Sequence, residues 1–367
     1  MDEKHALILL SKIKGLGPIH TKTSINIFGS ALAVLQQKGI NLSQQCGWNA
    51  TQIDQFVQIK SVLGNSVAKE LDFIDKHQIE VIPYYDPRYP LRLKQIIDAP
   101  VFVYYKGKVN LNPPRTLAIV GTRKPSATSL FLTQKLIEEA QNYGIQVISG
   151  LAYGIDICAH RSAFKQGISN IGVLAHGLDQ IYPKAHKQTS IDIQAEGGIL
   201  TEMPLFSALH PDLFPRRNRI IAGMSDAVLV IESKVIGGSM STAQIARSYD
   251  REVFAFPGNP VHGHNSGCNA LIKRQVAELV EDFSDIVKAM GWQDTLAVGK
   301  AAQTSMFPNL NADEQSLLQT LTGKKMHIDE LIQHSGMPLH RITLCALELE
   351  LKGVIKVLPG KYYQRIA

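Results

Sequence analysis

Apolar and polar positions recur in different rhythms along the chain. Up to about residue 80 the apolar positions return every three to four residues, the spacing that gives a helix one buried face. The stretches 6–13, 22–28, 31–37, 51–60 and 66–77 are predicted as helices, and proline is nearly absent among them. From residue 115 the pattern changes to short apolar runs separated by amphipathic stretches. The runs 117–120, 146–149, 171–175, 198–202, 227–231 and 252–256 are predicted as strands, with helices over 126–143, 156–166, 187–196, 218–223 and 239–249. Strands apolar on both faces and spaced by helices predict a parallel sheet covered on both sides, a doubly wound Rossmann-like α/β domain. Between these regions, residues 81–114 are rich in Pro and Tyr and read as an extended connector packed on its neighbours. Residues 291–308 show little periodicity and read as a linker. Beyond it, helices over 312–321, 328–335 and 338–353 precede a hairpin of 354–358 and 361–366 about Pro359-Gly360. Three helices followed by a hairpin is the winged-helix arrangement. The expected units are therefore a helical domain of SAM-like or helix-hairpin-helix type (1–80), the connector (81–114), the α/β domain (115–290), the linker (291–308) and a winged helix (309–367).

Composition narrows the class of protein. At 367 residues the chain exceeds the usual size of one domain, and 45% apolar with 19% charged residues suits a globular protein with ample core. No run approaches the roughly 18 uninterrupted apolar residues of a membrane span. The start, Met-Asp-Glu-Lys-His, has no basic flank leading into an apolar core, so no secretory signal and a cytoplasmic location are expected. Cys46, Cys158, Cys268 and Cys345 lie far apart with no C-x-x-C pair, which predicts neither a zinc site nor a disulfide framework. No metal or other cofactor is expected. The net charge of +6 is spread out: 13 Lys/Arg against 9 Asp/Glu over 1–114, 17 against 16 over 115–290, and 8 against 7 over 291–367. No segment is a basic block, so an anion site must be a local cluster.

Such a cluster is sought beyond the carboxyl ends of the strands, where open α/β sheets bind ligands. Those ends read Gly121-Thr122-Arg123, then Ser149-Gly150-Leu151-Ala152-Tyr153-Gly154, Gly177-Leu178-Asp179 and Gly237-Gly238-Ser239. Glycine at such a turn lets a phosphate approach the backbone, and the following helix adds N–H groups and a positive dipole end. Arg123 supplies a planar fork of donors. Lys184 follows Tyr182-Pro183 beyond a strand end, and Arg216-Arg217-Asn218-Arg219 opens the helix after Phe214-Pro215. Any one of these turns is also ordinary strand-to-helix chemistry, and the arginines also suit salt bridges to a neighbouring helix. Taken together on one edge they form a line of anion sites, which suits a polyanion better than a single nucleotide. Tyr153, Tyr182 and Phe214 offer faces either to bases or to the core. In the helical domain, the turn Gly15-Leu16-Gly17-Pro18 either presents N–H groups to a phosphate or packs two helices.

Several catalytic signatures are absent. No G-x-x-x-x-G-K-[ST] loop, no G-x-G-x-x-G at the first turn, no G-x-S-x-G and no H-E-x-x-H occur. Asp156, Asp179, Glu202 and Glu232 fall near strand ends without a spacing that forces an acid–base pair. Asp156 and Asp179 read as turn and helix-cap residues. No catalytic residue is assigned, and the chain is not read as an enzyme.

In this order the motifs resemble the DprA/Smf family of recombination mediators. The stretches that carry the resemblance are IVGTR (119–123), SGLAYGID (149–156), GLDQIYP (177–183), FPRRNRIIAGMSDAVLVIES (214–233), REVFAFPGN (251–259) and GCNALI (267–272), with YPLRLKQIIDAP (89–100) in the connector. The resemblance implies a protein that binds single-stranded DNA, forms a homodimer and helps load the RecA recombinase in natural transformation. It carries DNA contacts to Gly121 and Arg123, to the Ser149-Gly150 turn, to Lys184 and to residues 216–219. The chain departs from the family at Gly237-Gly238-Ser239-Met240-Ser241-Thr242-Ala243, where small residues are kept, and at Lys273-Arg274-Gln275, where a glycine is usual. The domain is also similar to lysine-decarboxylase-like nucleotide phosphoribohydrolases, the alternative reading. Those enzymes follow a glycine-rich turn with glutamates, whereas residues 237–249 hold no Asp or Glu. The predicted recognition helix, 338–351, carries Arg341 against Glu348 and Glu350, net −1, which favours a protein contact or regulatory role over reading duplex DNA.

Overall fold

The structure, a computed structural model, describes residues 2–62, 64–260, 263–293, 311–321, 326–351, 355–358 and 361–365. The chain divides into two compact units, Met1–Val298 and Gly299–Ala367. Most of the predicted linker, and the hairpin turn at Pro359-Gly360, lie outside the described residues.

The first unit is built on a sheet with nine strands among the described residues: β1 (Glu80–Pro83), β2 (Phe102–Gly107), β3 (Arg115–Val120), β4 (Ile145–Ser149), β5 (Asn170–Val173), β6 (Gly198–Thr201), β7 (Ala227–Val230), β8 (Glu252–Ala255) and β9 (Glu278–Leu279). Their order is β1-β2-β6-β5-β4-β3-β7-β8-β9. From β6 through β9 every neighbouring pair is parallel. The middle strands are buried along their length because they are apolar on both faces. One face packs in a core that includes Val120, Ile148 and Val230, the other in a core that includes Ile119, Val147 and Leu229. Each such side chain contributes roughly 1.5–3 kcal/mol by leaving water. The expected doubly wound, mostly parallel α/β architecture is present.

The residues read as a connector do more than connect. β1 and β2 pair antiparallel, and β2 pairs antiparallel with β6, so this segment adds two strands to the sheet. Phe102-Val103-Tyr104-Tyr105 is fully buried, which the β-forming character of Val and Tyr supports.

Six helices precede it: Glu3–Ser11, Pro18–Phe28, Ala31–Gln36, Gly39–Cys46, Ala50–Val62 and Gly64–Lys76. The fourth falls in a stretch the hydrophobic rhythm leaves unassigned, since only Leu42 and Cys46 are buried in it. The core of these helices includes Ile8, Leu10, Val34, Trp48, Phe56 and Ile74 and runs on into Phe102, Tyr104 and Leu205. Glu70 pins that junction. Fully buried, it accepts hydrogen bonds from Tyr104 Oη (2.7 Å) and Leu205 N (3.1 Å) and pairs with Lys12 Nζ at 2.7 Å. In the turn after the first helix Gly15 has φ +79°, and Pro18 starts the second behind an uncapped Gly17.

The second unit has helices Ala312–Thr320, Ile328–Ser335 and Leu339–Leu351, with β10 (Met326–His327), β11 (Ile355–Leu358) and β12 (Tyr362–Arg365) in the order β10-β12-β11. Leu317, Leu331, Ile342, Leu349, Ile355 and Tyr363 share its core. This is a winged helix.

Candidate nucleic-acid interface

The order of the strands fixes where a crevice opens. From β3 the chain steps outward through β4, β5 and β6, then returns to pair β7 on the other side of β3. The turns leaving β3 and β7 therefore diverge, the topological switch point at which open α/β sheets bind ligands. A cleft of about 600 Å³ lies there. Gly121, Thr122 and Arg123 line it from the turn after β3. Ser233, Lys234, Gly237, Gly238 and Ser239 line it from the segment after β7, and Phe214, Arg217 and Asn218 from helix Leu213–Gly223.

Close approach of backbones shapes the cleft. A Cβ on Gly121 would meet Ile155 Cγ1 at 2.5 Å. Gly154, at φ +81° and ψ −122°, holds a conformation that side chains exclude, and a Cβ there would run into Thr122 O. The two loops are stitched by Ile155 N donating to Thr122 O (3.2 Å), and Thr122 N donates to Glu232 O (2.7 Å). Thr122 Oγ1 accepts from Lys124 N at 3.2 Å. Above this frame Arg123 is exposed, its guanidinium 5.2 Å from the centre of the Phe214 ring. The helix Gly238–Ser248 starts at Gly237 with no side-chain cap, and its first bonds to Gly237 O come from Met240 N and Ser241 N. The N–H groups of Gly238 and Ser239 precede those bonds and head the helix dipole at the cleft wall.

Not every predicted contact reaches the cleft. Ser149 is fully buried and donates from Oγ to Ile119 O at 2.6 Å. Gly150 is buried as well: its N–H donates to Asp156 Oδ2 (3.1 Å) and its carbonyl accepts from Arg217 Nη1 (2.6 Å). A Cβ on Gly150 would touch Arg217 and Asp156, so this glycine serves close packing. Arg217 is 4% exposed and also donates to Val173 O. Burial pushes its pKa down to about 10 against the opposing charge of Asp156. Burial likewise raises the carboxyl of Asp156, although the charge of Arg217 and N–H groups of Ala152 and Gly150 work the other way. The helix carrying these arginines begins at Leu213 rather than at 218, so residues 216–219 lie inside its first two turns and point to different sides. Arg216 is exposed, and Asn218 lines the cleft. Arg219 is held by Glu202 and by Asp98 O (2.7 Å). Lys184 is exposed at the start of the short turn Lys184–His186, outside the lining of the cleft, although Tyr182 belongs to it.

The acids near the strand ends are all engaged in the frame. Asp179 Oδ1 accepts from Phe206 N (2.9 Å), Glu202 pairs with Arg219, and Glu232 accepts from Ser126 N and Oγ (2.9 and 2.8 Å). At Glu232 burial would raise the pKa, but hydrogen bonds from Ser129 and Ser126 outweigh it and leave the carboxyl below its ordinary value. Lys234 is an exposed cation on the cleft that the motif reading passed over. Its signal was positional: it stands just past β7 as Arg123 stands just past β3. Among the described residues no group of three His, Cys, Asp or Glu is placed to hold a metal, and no helix is long and apolar enough to cross a membrane. The four cysteines are buried free thiols.

The sequence profile described as DNA recombination-mediator protein A matches residues 80–291, and that of the DprA winged helix domain matches 301–361. The chain belongs to the DprA/Smf family. It is 31% identical to the Smf protein of Escherichia coli K12 over 87% of this chain and 85% of that one. It is 38% identical to the DNA processing protein DprA of Streptococcus pneumoniae R6 over 55% of this chain and 71% of the relative. An X-ray structure of the S. pneumoniae DprA superposes with a TM-score of 0.69 at 30% identity, covering 78% of this chain and 97% of that chain. The DNA processing protein A of Helicobacter pylori, whose structure addresses its single-stranded DNA binding mode, gives 0.53 at 27% identity over 58% of this chain and 95% of that chain. The family is one of recombination mediators, and the phosphoribohydrolase alternative is not favoured.

Proposed function

We propose that this DprA/Smf-family chain binds the backbone of single-stranded DNA in the cleft between the ends of β3 and β7, protects the strand, and helps RecA assemble on it during transformation and recombination. The observation that carries the reading is the switch-point cleft itself, where an uncapped eleven-residue helix start faces exposed Arg123 and Lys234. Helix N–H groups, a planar fork and a point charge are the donors that phosphates take. Asp156, the one acidic residue among the described residues lining the cleft, is opposed by the charge of Arg217, while Arg123 and Lys234 add exposed positive charge. Contacts to phosphate alone hold a strand without reading its sequence. The H. pylori relative supports the same ligand. Homodimerisation would join two such clefts and raise the affinity for long strands. The acids near the strand ends, Asp156, Asp179, Glu202 and Glu232, are each engaged in the frame, so the reading includes no catalysis.

Titration of single- and double-stranded oligonucleotides at two salt concentrations tests this. Single strands are expected to bind more tightly, with log affinity falling by about 0.7 per phosphate neutralised for each unit of log salt. Arg123→Ala and Lys234→Ala should each weaken binding to all sequences alike. Unchanged affinity in both variants rejects the cleft, and hydrolysis of nucleoside monophosphates would restore the enzyme reading. RecA nucleation on the strand with and without the chain, and sedimentation equilibrium, test the two partner assignments.

A further inference from the structure

The sheet edge that opens into the cleft continues away from it. β3, β4, β5 and β6 run parallel as successive neighbours, so the segments that follow β5 and β6 emerge on the same edge as Arg123. Three strand spacings, about 14 Å, separate the exits of β3 and β6. Between them the segment after β5 carries Tyr182 and Lys184, both exposed. The segment after β6 carries Phe206 and runs on to Pro211 and Phe214 in the lining of the cleft.

Phe206 holds φ +60°, in the left-handed region where a bulky side chain is an outlier. Its surroundings enforce that conformation. Phe206 N donates to Asp179 Oδ1 (2.9 Å), Gln180 Nε2 to Ser207 O (3.3 Å) and Ser207 Oγ to Pro204 O (2.8 Å). A Cβ on Gly177 would meet Pro204 O at 2.6 Å, so the two segments are packed without slack. Leu205 already anchors the loop in the core of the N-terminal helices. The turn itself would be met by glycine without strain. Yet a phenylalanine stands there with its ring 45% exposed. Helix Gly64–Lys76 supports the ring from the other side: Phe73 meets it edge-on at 5.3 Å, and Lys69 Nζ lies 5.0 Å from its centre. Strain that the surroundings maintain in order to hold an aromatic ring in solvent points to a ligand for the ring.

The pairing of ring and cation repeats the one in the cleft, where Arg123 lies over Phe214. Bases of a single strand stack on such rings while cations take the phosphates between them. An apolar peptide would cover Phe206 and leave Lys69 and Lys184 without a counterpart. Resting on the reading that the cleft holds the strand's phosphates, we propose that the strand leaves the cleft past Lys184 and stacks a base on Phe206, with Lys69 taking the adjacent phosphate. The N-terminal helical domain is then a second anchor for the DNA, about 14 Å along the edge from the first.

The test measures, by fluorescence anisotropy, the affinity of the full chain for an oligothymidine of about twelve nucleotides and for an abasic strand of equal length. Phe206→Gly is expected to weaken the thymidine strand at least about fivefold, the lower bound of stacking on one ring, and the abasic strand less than about twofold. Phe206→Trp should keep the wild-type affinity. The strain that glycine relieves offsets the lost contact with Phe73, so the thermal unfolding midpoint of Phe206→Gly should move by no more than about 3 °C. Lys69→Ala, at an exposed position, should weaken both strands and lower the salt slope by about 0.7, and it decides the matter if Phe206→Gly proves unstable. Unchanged thymidine affinity in Phe206→Gly, an equal loss on the two strands, or an unmoved salt slope in Lys69→Ala overturns the second anchor. Arg123→Ala and Lys234→Ala separate it from the cleft. If they weaken both strands while Phe206→Gly changes nothing, the cleft stands and the second anchor falls; if neither weakens binding, both fall.

Discussion

A guanidinium on this cleft is either tied to carbonyls or left open to an anion, and Arg217 and Arg123 divide along that line. Arg217 donates to Gly150 O and Val173 O and offsets the charge of Asp156 in the interior. Removing it leaves the buried carboxylate of Asp156 without its countercharge and two carbonyls without their guanidinium donor, so Arg217→Ala is expected to cost about 3–5 kcal/mol in urea unfolding. Arg123→Ala should leave unfolding unchanged within about 0.5 kcal/mol, because its side chain is exposed. His160 makes a second prediction at this scale. It is fully buried, with Nδ1 2.9 Å from Asn170 Oδ1, and burial lowers its pKa from 6.5 to about 4. The unfolded chain therefore takes up the proton first. This contribution to stability is complete above pH 6.5 and is lost as pH falls toward about 4. Between pH 7 and about pH 5 the wild type should lose about 2 kcal/mol that His160→Gln does not lose. An equal loss in the two proteins would show that His160 does not titrate in this window.

Among the elements, a buried carboxylate ties the N-terminal helices to the sheet beside their shared apolar core. Glu70 lies on helix Gly64–Lys76, and its partners come from the residue that ends helix Glu3–Ser11, from β2 and from the segment after β6. Glu70→Ala strips the charge from Lys12 and the acceptor from Tyr104 and Leu205, with an expected cost of about 3–5 kcal/mol, whereas Tyr104→Phe should cost about 1 kcal/mol. Unfolding curves that do not rank the two in this order would mean the junction is held by its apolar contacts alone. The same scale shows what the sequence made legible. The strands β3 to β8 were found within a residue or two because apolar runs between helices have few other homes. In the segment of β1 and β2 the Pro- and Tyr-rich composition masks Val101-Phe102-Val103-Tyr104-Tyr105, a strand signal bounded by Pro100 and Gly107. The four residues 216–219 looked alike as donors. Their helical phase separates them: Arg217 stands three, four and seven residues before Ile220, Ile221 and Met224, on the buried face. That phase was readable once the helix was begun at Leu213. The burial of the Ser149-Gly150 turn was not readable, since it depends on Arg217 arriving from a distant helix.

Across the whole molecule, the two compact units divide the charge and the chemistry unequally. Every residue of the cleft belongs to Met1–Val298. In the winged helix, Arg341 pairs with Asp313 at 3.3 Å, and Glu350 accepts from Val357 N, so the helix that would enter a major groove presents little uncompensated positive charge. A duplex reader needs several such charges to displace counterions. A chain ending at Val298 is therefore expected to keep the single-strand affinity and salt slope of the full protein within about twofold, and to bind duplex no more weakly than the full chain does. The first unit holds its own cores on both sheet faces, so its unfolding midpoint should persist in the shortened chain. A large drop in duplex affinity on truncation, with single-strand affinity unchanged, would assign duplex binding to the winged helix. A drop in single-strand affinity alone would mean that the strand's path extends beyond the cleft into the second unit.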